Sequence, residues 1–200
     1  MSPVSDEQVV RTLLWRRVDV AGVEHFQLRD SPRGAQLVGT VLVPHEGAPL
    51  RLDYEVACSG GWETRRVTMT VSFAAAARRV ELVADEKGRW WMDGAERPDV
   101  TGCVDVDLSL TPSTNTLPVR RLGLLDLPVG QSRDVRAAWV RFPELRVEPL
   151  EQRYTRVGER RLRYESRRAH SDRAFTADLD VDDIGLVVTY PPLWERVALA

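Results

Sequence analysis

Apolar and polar residues alternate with a period of two along most of this 200-residue chain. In the run 50–58, Leu50, Leu52, Tyr54 and Val56 fall on one parity and Arg51, Asp53 and Glu55 on the other. Val67, Met69, Val71 and Phe73 alternate in the same way with Arg66, Thr68, Thr70 and Ser72. Leu37, Val41 and Val43 do so around Gly39, and runs at 135–142, 146–156, 160–167, 173–180 and 186–190 repeat the pattern. Successive side chains on a strand point to opposite faces, so each run reads as a half-buried strand. Lys87-Gly88 and Asp93-Gly94 suit tight hairpins, while 157–159 and 183–185 suit longer ones. No segment keeps a 3.6-residue period for three turns, so short helices are expected only at 6–14 and 74–79. About a dozen hairpin-linked strands predict an all-β fold: a single large curved antiparallel sheet, forming a barrel or half-barrel, with one or two short helices. The expected organisation is one domain over 1–200, with 1–10 as a flexible lead. Residues 14–18 (Leu-Trp-Arg-Arg-Val) echo residues 193–197 (Leu-Trp-Glu-Arg-Val), which predicts equivalent places for the two ends, as neighbouring strands or paired plugs.

Composition narrows the chemistry. The formal net charge is −2, so the chain as a whole lacks the basic footprint of a nucleic-acid binder. Lys87 is the only lysine among 28 basic residues. Arginine's planar fork suits bidentate pairing with oxyanions, so the position of each guanidinium decides what this bias means. Residues 1–11 are polar, and no apolar run approaches the ~18 residues of a spanning helix. A cytoplasmic protein is expected, with Cys58 and Cys103 reduced, buried and structural.

The densest polar chemistry lies at 102–123. Val104, Val106, Leu108 and Leu110 share one parity, and Asp105, Asp107 and Ser109 the other. A proline-bounded polar loop, 112–118, then leads to the pair Arg120-Arg121. Asp105 and Asp107 share a face, roughly 7 Å apart at the base, a spacing open either to a solvated strand face or to acid–base work on a glycoside. Thr114, Asn115 and Thr116 supply donors and acceptors suited to sugar hydroxyls, or to capping their own turn. On a strand, Arg120 and Arg121 would point to opposite faces, so one alone could clamp a phosphate or carboxylate. Of six tryptophans, Trp62 and one of the adjacent pair Trp90 and Trp91 suit a cavity wall. Tyr154 and Tyr164 face each other if the hairpin at 157–161 has a three-residue loop. Asp178, Asp180, Asp182 and Asp183 miss the glycine and glutamate that a calcium loop requires. His25, His45 and His170 lack metal-ligand spacing, so no metal or cofactor is expected.

The run 105–123 (Asp-Val-Asp-Leu-Ser-Leu-Thr-Pro-Ser-Thr-Asn-Thr-Leu-Pro-Val-Arg-Arg-Leu-Gly) resembles the signature of a bacterial family, the Putative glycolipid-binding proteins, also known as a domain of unknown function. Leu14-Trp15-Arg16, the run 50–58, Trp62-Glu-Thr-Arg65, Gly88-Arg-Trp-Trp91, Tyr154-Thr-Arg156, Tyr164-Glu-Ser166, the run 175–179 and Tyr190-Pro191 agree with it, so the resemblance spans nearly the whole chain. It implies a curved sheet, similar to that of bacterial lipoprotein carriers, wrapped around an apolar cavity. It also implies that Asp105 or Asp107 faces Arg120, Arg121 or Arg153. The expected function is non-catalytic binding of a lipid or glycolipid, with a headgroup site near 105–121. The expected ligand-binding residues are Asp105, Asp107, Thr114, Asn115, Arg120, Arg121, Trp62, Trp91, Arg153, Tyr154 and Tyr164. Two rivals stand beside this reading. One is a small lyase, isomerase or hydrolase using a pocket carboxylate with a raised pKa, unpaired with arginine. The other is an interaction module with a filled interior. The pattern leaves oligomeric state open.

Overall fold

A computed structural model describes residues 7–168 and 174–200. The first half of the chain forms β1 (Gln8–Arg17), β2 (Val23–Asp30), β3 (Gln36–His45), β4 (Ala48–Cys58), β5 (Thr64–Phe73), β6 (Ala76–Ala84), β7 (Trp90–Met92) and β8 (Ala95–Glu96). The short β9 (Asp105–Leu108) leads to a 3-10 turn (Ser113–Asn115) and the helix α1 (Thr116–Arg121). The second half forms β10 (Ser132–Arg141), β11 (Arg146–Arg156), β12 (Arg161–Arg168), β13 (Ala174–Val181), β14 (Val187–Tyr190) and β15 (Trp194–Leu199).

The fifteen strands of the described residues belong to one sheet, in the order β8-β7-β6-β5-β4-β3-β2-β1-β15-β14-β13-β12-β11-β10-β9. Each half of the chain is thus a meander, and the two meanders join where the first and last strands pair. Arg16 lies opposite Glu195, and Arg17 opposite Trp194. The repeated pentapeptide therefore occupies neighbouring strands, and Trp15 and Trp194 are both buried. Every ladder is antiparallel except that of β9 with β10, which is parallel.

The sheet is curved but does not close as a ladder. Its two edge strands, β8 and β9, are consecutive in the chain, and the segment 97–104 bridges them. The Gly102 amide donates to the Gly88 carbonyl at 2.8 Å, and the Trp90 indole donates to the Cys103 carbonyl at 2.8 Å. Thr64 meets the free edge of β9: its amide donates to the Val104 carbonyl at 3.2 Å, and its hydroxyl accepts from the Val106 amide at 3.1 Å. An unpaired strand edge invites aggregation, and these contacts blunt it without a sixteenth strand.

Two helix expectations are corrected. Residues 8–14 lie in β1, and 76–79 in β6; Asp6 is outside the described residues, as is the start of the flexible lead expected at 1–10. At both places pairing with neighbouring strands overrides a short local periodicity. The helix that does form starts inside the segment read as a loop, 112–118, and runs past it to Arg121. Pro118 sits in its first turn, where a missing amide costs nothing. The polar stretch 168–173 reads as an exposed loop from its sequence, and of it residues 169–173 lie outside the described residues.

The segment following β9 packs against the concave side of the sheet. Leu117 and Leu124 are fully buried, and Val119 nearly so. Thr111 and Ser113 reach Tyr54 and Glu24 on the first meander, whereas Asn115 reaches Tyr154 on the second. The interior is therefore largely filled by this helical plug and the core side chains. One glycine is essential to its fit: Gly39 lies opposite both Phe26 and Tyr54, and a Cβ there would fall 2.4 Å from the Tyr54 ring. Its absence lets the tyrosine lie across β3 toward Glu24.

Candidate functional site

Parity on β9, β10 and β11 builds the site. Asp105 lies opposite Ala137, and Asp107 opposite Trp139, so both carboxylates turn to the face that also carries Leu150, Gln152 and Tyr154. Asp105 is 1% exposed and takes a bidentate pair from Arg121, with Nε to Oδ1 at 3.0 Å and Nη2 to Oδ2 at 2.6 Å. Burial holds its carboxyl above the usual carboxylate range, and the Arg121 fork offsets only part of that rise. This pair ties the end of α1 to β9 and engages both Asp105 oxygens.

Asp107 is placed differently. It lines a pocket of about 490 Å³ beside the plug, together with Ser109, Thr111, Asn115, Trp139 and an aromatic wall. The Gln152 amide donates to its Oδ2 at 2.6 Å and also reaches the Tyr164 hydroxyl at 3.1 Å. Loss of hydration raises the Asp107 carboxyl to about 6, against the pull of the Gln152 hydrogen bond. The wall is a ring cluster. Tyr154 and Tyr164 face each other across β11 and β12 with centroids 5.1 Å apart, so the hairpin register expected from the sequence holds. Phe175 and Tyr190 lie 6.1 and 6.0 Å from Tyr164. The Tyr154 hydroxyl donates to Asn115 Oδ1 at 2.9 Å, and the Asn115 amide donates to the Pro112 carbonyl at 3.1 Å. Asn115 thus locks the plug to the wall. Thr114 Oγ1 accepts from the Leu108 amide at 3.3 Å, a turn-forming role.

Five candidates, Asp105, Asp107, Asn115, Tyr154 and Tyr164, gather around this pocket or directly behind it. The others do not. Arg121 is occupied by Asp105. Arg120 leaves the other side of α1 and stacks over Trp62, 5.0 Å from the ring centroid, in a separate depression. Their divergence follows from helical geometry, which separates adjacent side chains by about 100°. Trp90 is the buried member of its pair, whereas Trp91 is half-exposed beneath the Arg89 guanidinium. Arg153 is on the outer face of β11, paired with Asp134 at 2.7 Å. Similar exposed pairs, such as Arg161 with Asp180 and Arg163 with Asp178, account for much of the arginine on the second meander.

Two residues of this region are not among the sequence-derived candidates. Gln152 sits at an inward position between Leu150 and Tyr154, a polar residue breaking an apolar parity. Glu24 does the same on β2, ahead of Phe26 and Leu28. It is fully buried, and its Oε1 accepts from the Tyr54 hydroxyl at 2.5 Å and the Thr111 hydroxyl at 2.7 Å. Burial raises its carboxyl to about 8. Both residues were detectable as parity violations. Cys58 and Cys103 are free and buried, and burial lifts their thiols to about 12 and about 11, far from thiolate reactivity.

An open, curved, mainly antiparallel sheet with a helical plug on its concave side and a mixed aromatic and polar pocket beside it defines the class: an all-β shell around an internal segment. The chain belongs to the Putative glycolipid-binding family, whose model matches residues 12–196. It is similar to a crystal structure of a DUF1089 family protein from Pseudomonas aeruginosa. The two share 35% identity over 88% of this chain and 92% of that one, with a TM-score of 0.78. No curated protein matches the chain. Among the described residues no helix is long and apolar enough to cross a membrane.

Proposed function

We propose that this protein binds a glycolipid non-covalently, with the sugar headgroup in the pocket between Asp107 and the Tyr164–Phe175–Tyr190 wall. One observation carries the reading: aromatic side chains, a carboxylate, an amide and hydroxyls together line a space of about 490 Å³. Sugars present apolar C–H faces and equatorial hydroxyls, and this lining offers a partner for each. The volume is within the range of small-molecule sites, in which a few fixed polar groups set orientation and apolar contact supplies affinity. The lipid tail then runs from the pocket mouth along Leu193 and Trp194, which also line it.

The test is native mass spectrometry of protein purified from its host, followed by lipid extraction and titration with octyl glucoside. We expect a copurifying amphiphile and saturable binding that weakens roughly tenfold in Asp107→Asn and in Phe175→Ala. A clean apo mass together with no octyl glucoside binding overturns the reading in favour of a purely structural interior.

A second reading rests on Asp107 itself: a pocket carboxyl raised to about 6 and unpaired with arginine is suited to acid–base catalysis. Asp105 cannot serve as the second member of a glycosidase pair while Arg121 holds both its oxygens. Turnover of the extracted lipid that Asp107→Asn abolishes, with octyl glucoside binding retained, favours this reading over simple binding.

A further inference from the structure

We infer that the depression at the far end of α1, framed by Trp62 and Arg120, is a second and separate site, and that it takes a small organic anion: a carboxylate or phosphate monoester on a compact apolar stem. Its volume is about 380 Å³, and it shares no lining residue with the Asp107 pocket. Asn115 serves that pocket from the start of the plug, whereas Arg120 serves this one from the end of the helix. The buried side chains of Leu117 and Val119 come between them in the chain.

The guanidinium of Arg120 is presented rather than consumed. Among the described residues no carboxylate pairs with it, whereas its neighbour Arg121 is fully engaged by Asp105. The Trp62 ring covers one face of the Arg120 guanidinium, at 5.0 Å. Stacking of this kind desolvates the guanidinium plane and leaves its N–H edge free for an in-plane oxyanion. Trp62 is held for this role by an unusual backbone. Its φ is +68°, a conformation that bulky residues seldom adopt, and the turn is closed by its amide donating to the Ser59 carbonyl at 2.9 Å.

A second guanidinium, Arg29, lines the same depression. It is engaged by the Gln27 side-chain carbonyl at 2.8 Å and lies 3.8 Å from Glu7, a weak ion pair. Asp30 is the one acidic group in the lining, and its carboxylate already accepts from the Ser31 amide at 3.0 Å. The floor and side are apolar, formed by Leu28, Ala35 and Ile184. Two cations at the rim over an apolar floor fit an anion carrying a short hydrocarbon stem better than an inorganic ion or a neutral sugar.

The test is calorimetric and fluorescence titration of the full chain with hexanoate, hexyl phosphate and hexanol. We expect one or both anions to saturate in the low millimolar range or below, with hexanol binding at least tenfold more weakly. Which anion binds more tightly distinguishes a carboxylate source from a phosphate source. Arg120→Gln should weaken the anion roughly tenfold or more. Trp62→Phe should remove the fluorescence change while the chain stays folded by circular dichroism. Asp107→Asn should leave anion binding unaltered, so this site and the glycolipid pocket fail or succeed independently. Equal binding of hexanol and the anions, unchanged affinity in Arg120→Gln, or no saturation by either anion overturns the proposal.

Discussion

Replacing Glu24 with glutamine should flatten the pH dependence of stability above about pH 6. The carboxyl titrates near 4.5 in an unfolded chain and near 8 in the folded one, because burial disfavours its charge more than the Tyr54 and Thr111 hydroxyls favour it. Between those values the folded protein holds a proton that the unfolded chain has already released. Stability from this group is therefore intact below about pH 4.5, falls as pH rises, and reaches its lowest level above about pH 8. At about 1.4 kcal/mol per pH unit, the interval bounds the loss at roughly 5 kcal/mol. Glutamine has nearly the same shape, retains an oxygen for the two hydroxyl donors, and carries no titrating proton. The wild-type chain should accordingly lose stability between about pH 6 and pH 8 while Glu24→Gln stays level, and the variant should be the more stable at pH 8. Asp107, raised to about 6, contributes with the same sign at lower pH, so the comparison is made above its titration. Urea denaturation followed by circular dichroism at several pH values measures the slopes. Parallel curves for wild type and variant across that window would refute the assignment of Glu24 as a buried, proton-holding acid.

Other consequences follow from the same contacts. Arg121→Met strips a carboxylate that is 1% exposed of its bidentate partner, and should cost roughly 3–5 kcal/mol of unfolding free energy in urea denaturation; the paired change with Asp105→Leu should recover part of it. Gly39→Ala places a methyl 2.4 Å from the Tyr54 ring, so it should destabilise by about 1–3 kcal/mol, and a thermal melt equal to wild type would contradict the packing described. Arg153→Ala breaks only a solvent-exposed pair with Asp134, and should leave both the denaturation midpoint and octyl glucoside binding unchanged within error.

The sheet was legible in the chain because a strand's period of two is a local property. Tyr54, Val56, Leu162 and Tyr164 declare an inward face from their spacing alone, and the hairpin around 157–159 sets Tyr154 opposite Tyr164 without help from any distant residue. Even the meeting of the two ends was foreshadowed by the repeated pentapeptide, since equivalent strands need equivalent inward tryptophans. The helix α1 was not legible. Six residues with a proline in the first turn are too few for a helical period to emerge, and an isolated helix of that length does not persist in water. It forms because Leu117 and Val119 bury against the sheet and Arg121 finds Asp105, contacts supplied by strands elsewhere in the chain. That packing also decided which of two adjacent arginines is bound and which stays open, and which of two aspartates on one strand face is paired with a guanidinium and which lines a pocket. Charge state and accessibility depend on what arrives from other parts of the sheet, and alternation along a strand carries no record of those neighbours.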